Sequence, residues 1–242
     1  VDPGVEWVET NTGYAHLEWE IPIEQAALVL VDVWAEGHYL QDTLARGEAI
    51  IREKIVPLVA VCRKAGMQLI HAPAPPVAEE HPARVKLVDD ARDGNRRDDW
   101  PPPEFRSKSG TYRAYARPVE PREKENTERR GERKMHPLVQ AEGNDVVILN
   151  GEELHRFCKQ KGILFLFFLG FNTNACILLR DYGTIEMNKR GYEVIILRDC
   201  GTGMESFETH DALWQTRGAV LFLEMYGKFS ATSEELIAGL PG

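Results

Sequence analysis

Cys176 closes the segment Gly-Phe-Asn-Thr-Asn-Ala-Cys, residues 170–176, which directly follows the apolar run 163–169. A strand ending at Gly170, a tight turn and a helix capped by Asn172 or Thr173 would put this thiol in a first helical turn. The positive end of a helix dipole lowers a thiol pKa there, and the thiolate is the reactive form. The amides of Ala175 and Cys176 would lack intrahelical acceptors and could face a developing oxyanion. The plainer reading is a buried cysteine packed as a small hydrophobe. Asp32 is the second candidate, at the end of Val-Leu-Val-Asp-Val. A carboxylate in so apolar a setting needs a partner or a raised pKa. Beside a thiol it would be the base that nucleophilic catalysis requires; otherwise it caps a loop or the next helix.

These two residues must be positioned by alternating strands and helices. Residues 26–33 form a continuous apolar run, the mark of a strand buried on both faces of a parallel sheet. A helix is expected over 47–64, with Ile51, Ile55, Leu58, Val59 and Cys62 on one face and Pro57 inside it. Further strands are expected at 67–71, 144–149, 163–169, 192–197 and 228–231, with helices over 152–161, 172–190 and 210–226 and a last one from Ser233. Such alternation implies right-handed crossovers and a sheet covered on both faces. Ligands then bind beyond the C-terminal strand ends, near the point where strand order reverses. Asp32, His71, Asn150 and Cys176 all fall at that rim.

The chain has 242 residues and a formal net charge of −9. That suits one large domain and disfavours general affinity for nucleic acid or anionic membrane. No run approaches the roughly 20 apolar residues of a membrane span, and no secretory leader is visible. The four cysteines, at 62, 158, 176 and 200, include no C-x-x-C pair. Free thiols in a reducing cytoplasm are the expectation. Residues 1–25 read as an aromatic-rich arm over the domain. Residues 77–135 interrupt the pattern with 15 basic and 13 acidic side chains, net +2, which leaves −11 on the rest. This insertion reads as a lid or subunit contact, or as solvated chain.

The landmarks together resemble the isochorismatase-like cysteine hydrolases, in the branch that cleaves amides. Ala-Leu-Val-Leu-Val-Asp resembles that family's first strand with its aspartate. Residues 162–177 resemble its nucleophile strand and turn; 181–200 and 228–236 resemble the following helix, fifth strand and closing unit. The similarity covers roughly residues 24–76 and 136–240. It implies a three-layer α/β/α sandwich of Rossmann type with a mostly parallel, about six-stranded sheet. It also implies attack by Cys176 on a carbonyl carbon, proton transfer by Asp32, an oxyanion held by the amides of Ala175 and Cys176, a cis peptide in that turn, and a thioester hydrolysed by water.

One departure stands out. The family has a lysine at the end of the third strand, where this chain has Asn150. A substitute cation from the insertion, Lys108 or Lys134 before Arg113 or Arg117, would restore the charge. Alternatively Asn150 serves a different substrate, or the protein is catalytically silent and binds partners. His71, Trp34 and Phe171 are candidate substrate contacts; His71 is equally a structural hydrogen-bonder, and Trp34 equally a packing residue. One histidine at 71 and another at 81 are too few for a metal, so no metal and no cofactor is expected. The expected partners are a small-molecule substrate and further copies of the chain, a homo-oligomer, with no nucleic acid and no membrane.

Overall fold

The apolar run beginning at Ala26 forms β1 (Ala26–Val31), every residue of it buried. The computed structural model describes residues 4–35, 41–87, 101–131 and 133–241. Five more strands join β1: β2 (Gln68–Ala72), β3 (Val146–Val147), β4 (Phe165–Phe171), β5 (Glu193–Thr202) and β6 (Phe229–Ala231). Their order is β3-β2-β1-β4-β5-β6, and every pairing is parallel. The sheet thus grows in one direction from β1 through β2 to β3 and in the other from β4 to β6. The order reverses between β1 and β4, which makes the gap beyond their C-terminal ends the natural ligand crevice. Two apolar cores lie on opposite faces: Leu28, Leu30, Ile55 and Phe171 in one, Val29, Val31, Phe168 and Ile177 in the other. The six-stranded parallel α/β sandwich expected from the alternation is the observed architecture.

The helices refine the expectation. The first runs as α1 (Gln41–Ile50), a π turn (Ile51–Ile55) and α2 (Val56–Lys64). Pro57 sits in the first turn of α2, where its missing N–H is least needed, and the π turn upstream absorbs the register change. After α3 (Pro75–Glu80) the chain adds a bridge to the β3 edge, Arg84 beside Val147. The described remainder of the insertion holds α4 (Pro103–Ser107), a 3-10 turn (Gly110–Tyr115) and α5 (Glu123–Gly131), mostly exposed. It returns to the sheet at Met135, which bridges to Trp34, while His136 N–H donates to Val33 O at 2.9 Å. The N-terminal arm is exposed through Leu17, and packing begins at Trp19, whose ring meets Phe229 edge-on at 4.5 Å. No described helix is long and apolar enough to cross a membrane.

The largest correction concerns residues 172–190. One continuous helix was expected; the structure has a single turn, α7 (Cys176–Leu179), a break, and α8 (Thr184–Lys189). Gly183 permits the tight path of the chain at the break, since a Cβ there would lie 2.8 Å from Ile177 O and 2.9 Å from Arg180 O. The break seats the preceding helix, α6 (Gly151–Lys161): Gly151 N–H donates to Asp181 Oδ2 at 3.0 Å, and a Cβ on Gly151 would stand 2.0 Å from Asp181 O. The chain closes through α9 (Trp214–Met225) and α10 (Ser233–Gly239), the latter with a Thr232/Glu235 capping box.

Candidate active site

Asp32 is the first residue beyond β1. Its N–H donates to Ala72 O at 3.0 Å, so the backbone is still held to β2. Its φ of 47° lies in the left-handed region, which Asp tolerates better than a branched residue would. That turn takes the carboxylate out of the strand's alternation and across the rim. It is 6% exposed, and its Oδ1 has no protein hydrogen-bond partner among the described residues.

The opposing wall comes from β4. Gly170 has φ of 114°, and a Cβ there would sit 1.9 Å from Val31 O. Only glycine therefore lets the end of β4 lie so close to the end of β1. The Phe171–Asn172 peptide that follows is cis. The turn is then tied to β5 and the loop after it: Thr173 N–H donates to Thr202 O at 3.1 Å, Asn174 Nδ2 to Met204 O at 2.9 Å, and Met204 N–H to Asn174 Oδ1 at 3.0 Å. Cys176 emerges from this turn at the head of α7, its side chain within hydrogen-bonding reach of the Asp32 carboxylate. The two residues singled out from sequence meet at the switch point of the sheet.

The electrostatics differ from the sequence expectation. A single helical turn supplies little dipole, and the thiol is not acidified. Burial pushes its pKa up, and the neighbouring Asp32 pushes it further. Burial likewise raises Asp32, against the opposing effects of the Cys176 hydrogen bond and of Arg180 and Arg133. The cation on the sulfur is Arg180, four residues after the nucleophile. Its N–H donates to Cys176 O at 3.3 Å, and its guanidinium is near enough to the thiol to favour the thiolate against burial and Asp32. Burial works against the charge on Arg180, but its anionic neighbours, Asp32 and the Cys176 thiolate, favour it. Tyr182 completes the cluster, fully buried, its hydroxyl without a protein partner among the described residues and its pKa pushed up by burial. Arg180 and Tyr182 were missed from sequence as site residues; the Cys-x-x-x-Arg spacing was the available signal.

The remaining candidates take other places. Asn150 caps α6: its Oδ1 accepts from Glu153 N–H at 2.9 Å, so the side chain is spent on the helix start rather than on the thiol. Lys108 lies over its own Phe105 ring, 3.4 Å from the centroid, and Arg113 is exposed. Lys134 lines a cavity of about 10 Å³ beside Asp32, together with Trp34, Pro73 and Arg133, but its side chain is exposed. The insertion's contribution to Asp32 is instead Arg133, one residue earlier. His71 is buried in a structural network, its Nε2 3.2 Å from Asp145 Oδ2, which Arg63 also binds at 2.6 Å. Trp34 and Phe171 stack on each other at 4.5 Å; Phe171 is wholly buried, and of the pair Trp34 is the one that lines the cavity. Ala175 N–H is engaged by Asn172 O at 3.1 Å, whereas the Cys176 amide has no acceptor among the described residues. Among the described residues no three His, Cys, Asp or Glu side chains group as a metal set.

Comparison with known proteins agrees with this architecture. The family model for the isochorismatase domain matches residues 26–223. A cysteine hydrolase from Pseudomonas syringae pv. phaseolicola 1448A superposes with a TM-score of 0.60 at 16% identity, covering 94% of this chain and 98% of its own. An isochorismatase-like hydrolase from Alkaliphilus metalliredigens gives 0.54 at 16% identity, covering 88% and 98%. Among curated proteins, no relative matches the chain.

Proposed function

This chain belongs to the isochorismatase-domain family, and from that premise we propose that it is a cysteine hydrolase that cleaves a small amide, or a related C–N or ester bond, through a thioester on Cys176. The observation that carries the reading is the contact of Asp32 with the Cys176 thiol at the crevice between β1 and β4. A raised carboxyl beside a thiol is suited to exchange its proton at each half-reaction.

In the proposed sequence, Asp32 accepts the thiol proton while Sγ bonds to the carbonyl carbon, and the carbonyl π pair moves onto oxygen. The Cys176 N–H, which has no acceptor among the described residues, would donate to that oxyanion. Collapse re-forms C=O and breaks the C–N bond, and the amine leaves with the proton from Asp32. Water then attacks the thioester as Asp32 takes its proton. The C–S bond breaks, the acid departs, and Asp32 returns the proton to sulfur. The second amide assigned to the hole, that of Ala175, would have to release Asn172 O to take part.

The test is the Cys176→Ala variant against a panel of small primary amides, with p-nitrophenyl acetate as a general acyl donor. The wild type should show an acyl-enzyme burst with the added mass on the Cys176 peptide, and the variant should show neither burst nor turnover. Unchanged turnover in the variant ends the proposal. One observation favours a second reading, a catalytically silent binding protein: the side chain in the place of the family lysine, Asn150, is used as a helix cap. Iodoacetamide separates the two. Under that second reading, wild-type Cys176 labels near neutral pH no faster than Cys62 and Cys158, whose thiols burial pushes up to about 12.

A further inference from the structure

We propose that Arg180 is the catalytic cation of this site, stabilising the Cys176 thiolate from within the nucleophile's own helical turn. The inference rests on the hydrolase reading above and specifies what holds the negative charge once the thiol has lost its proton.

Three observations converge. Arg180 follows Cys176 by one helical turn, held there by its N–H donated to Cys176 O at 3.3 Å and by the Gly183 break that ends α7. Its guanidinium is a charged neighbour of the Cys176 sulfur, and of Asp32 and Tyr182, close enough to act on all three. The side chains expected to supply the charge are placed elsewhere: Asn150 caps α6, and Lys108 covers a phenyl ring.

The direction of the effect follows from what Arg180 touches. Moving a proton from sulfur to Asp32 moves one negative charge from the carboxylate to the sulfur. A cation at Asp32 alone opposes that transfer, and Arg133 acts on the carboxylate in this sense. A guanidinium beside the sulfur itself favours it. The groups acting on the sulfur are thus Asp32 from the end of β1, Arg180 at the C-cap of α7 and Tyr182 within the break, while Arg133 acts on Asp32. Tyr182 is neutral at working pH, its pKa raised by burial. Arginine does not deprotonate in proteins, so Arg180 holds charge without relaying protons. That leaves Asp32 as the sole proton carrier, a division of labour different from a site with a titratable lysine.

The test is the pH profile of Cys176 alkylation by iodoacetamide, read by peptide mass spectrometry on the full chain. Wild type, Arg180→Lys and Arg180→Met are compared, with circular dichroism to establish folding. Arg180→Met should move the alkylation midpoint up by about 1–3 pH units. Below the midpoint the rate should fall roughly 3- to 30-fold, because higher nucleophilicity offsets about half of the lost thiolate. Arg180→Lys should recover most of the shift, as charge rather than shape is at issue. Should the methionine variant not fold, Arg180→Gln makes the same comparison with a neutral hydrogen-bonding side chain. A folded neutral variant with an unmoved midpoint, or equal shifts in the lysine and neutral variants, overturns the proposal. Wild-type labelling no faster than that of Cys62 sinks the hydrolase reading instead, so the two failures are distinguishable.

Discussion

Replacing Asp32 with Asn should make Cys176 more reactive toward a simple alkylating agent while abolishing hydrolysis. Asp32 raises the thiol pKa both as a neighbouring negative charge and as a hydrogen-bond partner. Asn removes the charge and keeps the volume. Two unit charges about 4 Å apart interact by roughly 4 kcal/mol at an effective dielectric of about 20, equivalent to about 3 pKa units. A range of about 1–3 units is therefore expected for the downward shift, since burial of the sulfur is unchanged. Lower basicity weakens the thiolate as a nucleophile by about half of that in logarithmic terms. Alkylation below the midpoint should thus accelerate roughly 3- to 30-fold. Amide turnover should fall by about 10²–10⁴, the usual loss on removing a general acid–base. Stability provides a third readout. A carboxyl whose pKa is raised in the folded state favours folding only when protonated. Its contribution is present below the unfolded carboxyl pKa and is lost as pH rises through the folded value. At neutral pH Asp32 is therefore a destabilising residue, and Asp32→Asn should melt at a higher temperature than wild type, the gap closing in acid. The assay is iodoacetamide labelling of the Cys176 peptide against pH, beside thermal melts at neutral and acidic pH. A midpoint that stays put or rises in Asp32→Asn would refute the claim that this carboxylate is the thiol's immediate charged neighbour.

Other expectations follow from single contacts. Asn150→Ala should lower stability by about 1 kcal/mol through loss of the α6 cap, measured by urea unfolding, and should leave the Cys176 alkylation profile in place; a shifted profile would return Asn150 to the site. Gly170→Ala should destabilise by several kcal/mol, because its Cβ would lie 1.9 Å from Val31 O at a φ of 114°; a melt within a degree of wild type would contradict the close approach of β4 to β1. Activity should show an acid limb above the ordinary carboxylate range, since burial raises Asp32, and that limb should vanish from the residual activity of Asp32→Asn; a limb near the unperturbed carboxylate pKa would argue against burial of the base.

The local sequence pattern carried the fold class a long way. A run such as Ala-Ala-Leu-Val-Leu-Val, apolar at every position, has one economical solution, a central strand covered on both faces, and β1 is that strand. The alternation that follows constrains the connections, and the reversal of strand order puts Asp32 and Cys176 at one rim without knowledge of any contact. What the pattern could not resolve was the break after Leu179. Helical periodicity continues through Tyr182 and Ile185, and only the packing of Gly151 against Asp181 and the crowding at Gly183 show why the helix stops. That break shortens the helix headed by Cys176 to a single turn, which supplies little dipole to the thiol. Likewise Asn150 reads as a reactive-rim residue until α6 claims its oxygen, and Lys108 and Lys134 look as eligible as Arg133 until the insertion's return beside Trp34 brings Arg133 to Asp32. Strand identity is a property of short-range pattern and burial, legible along the chain. Which charges meet depends on contacts between residues far apart in sequence, and on breaks that only close packing imposes.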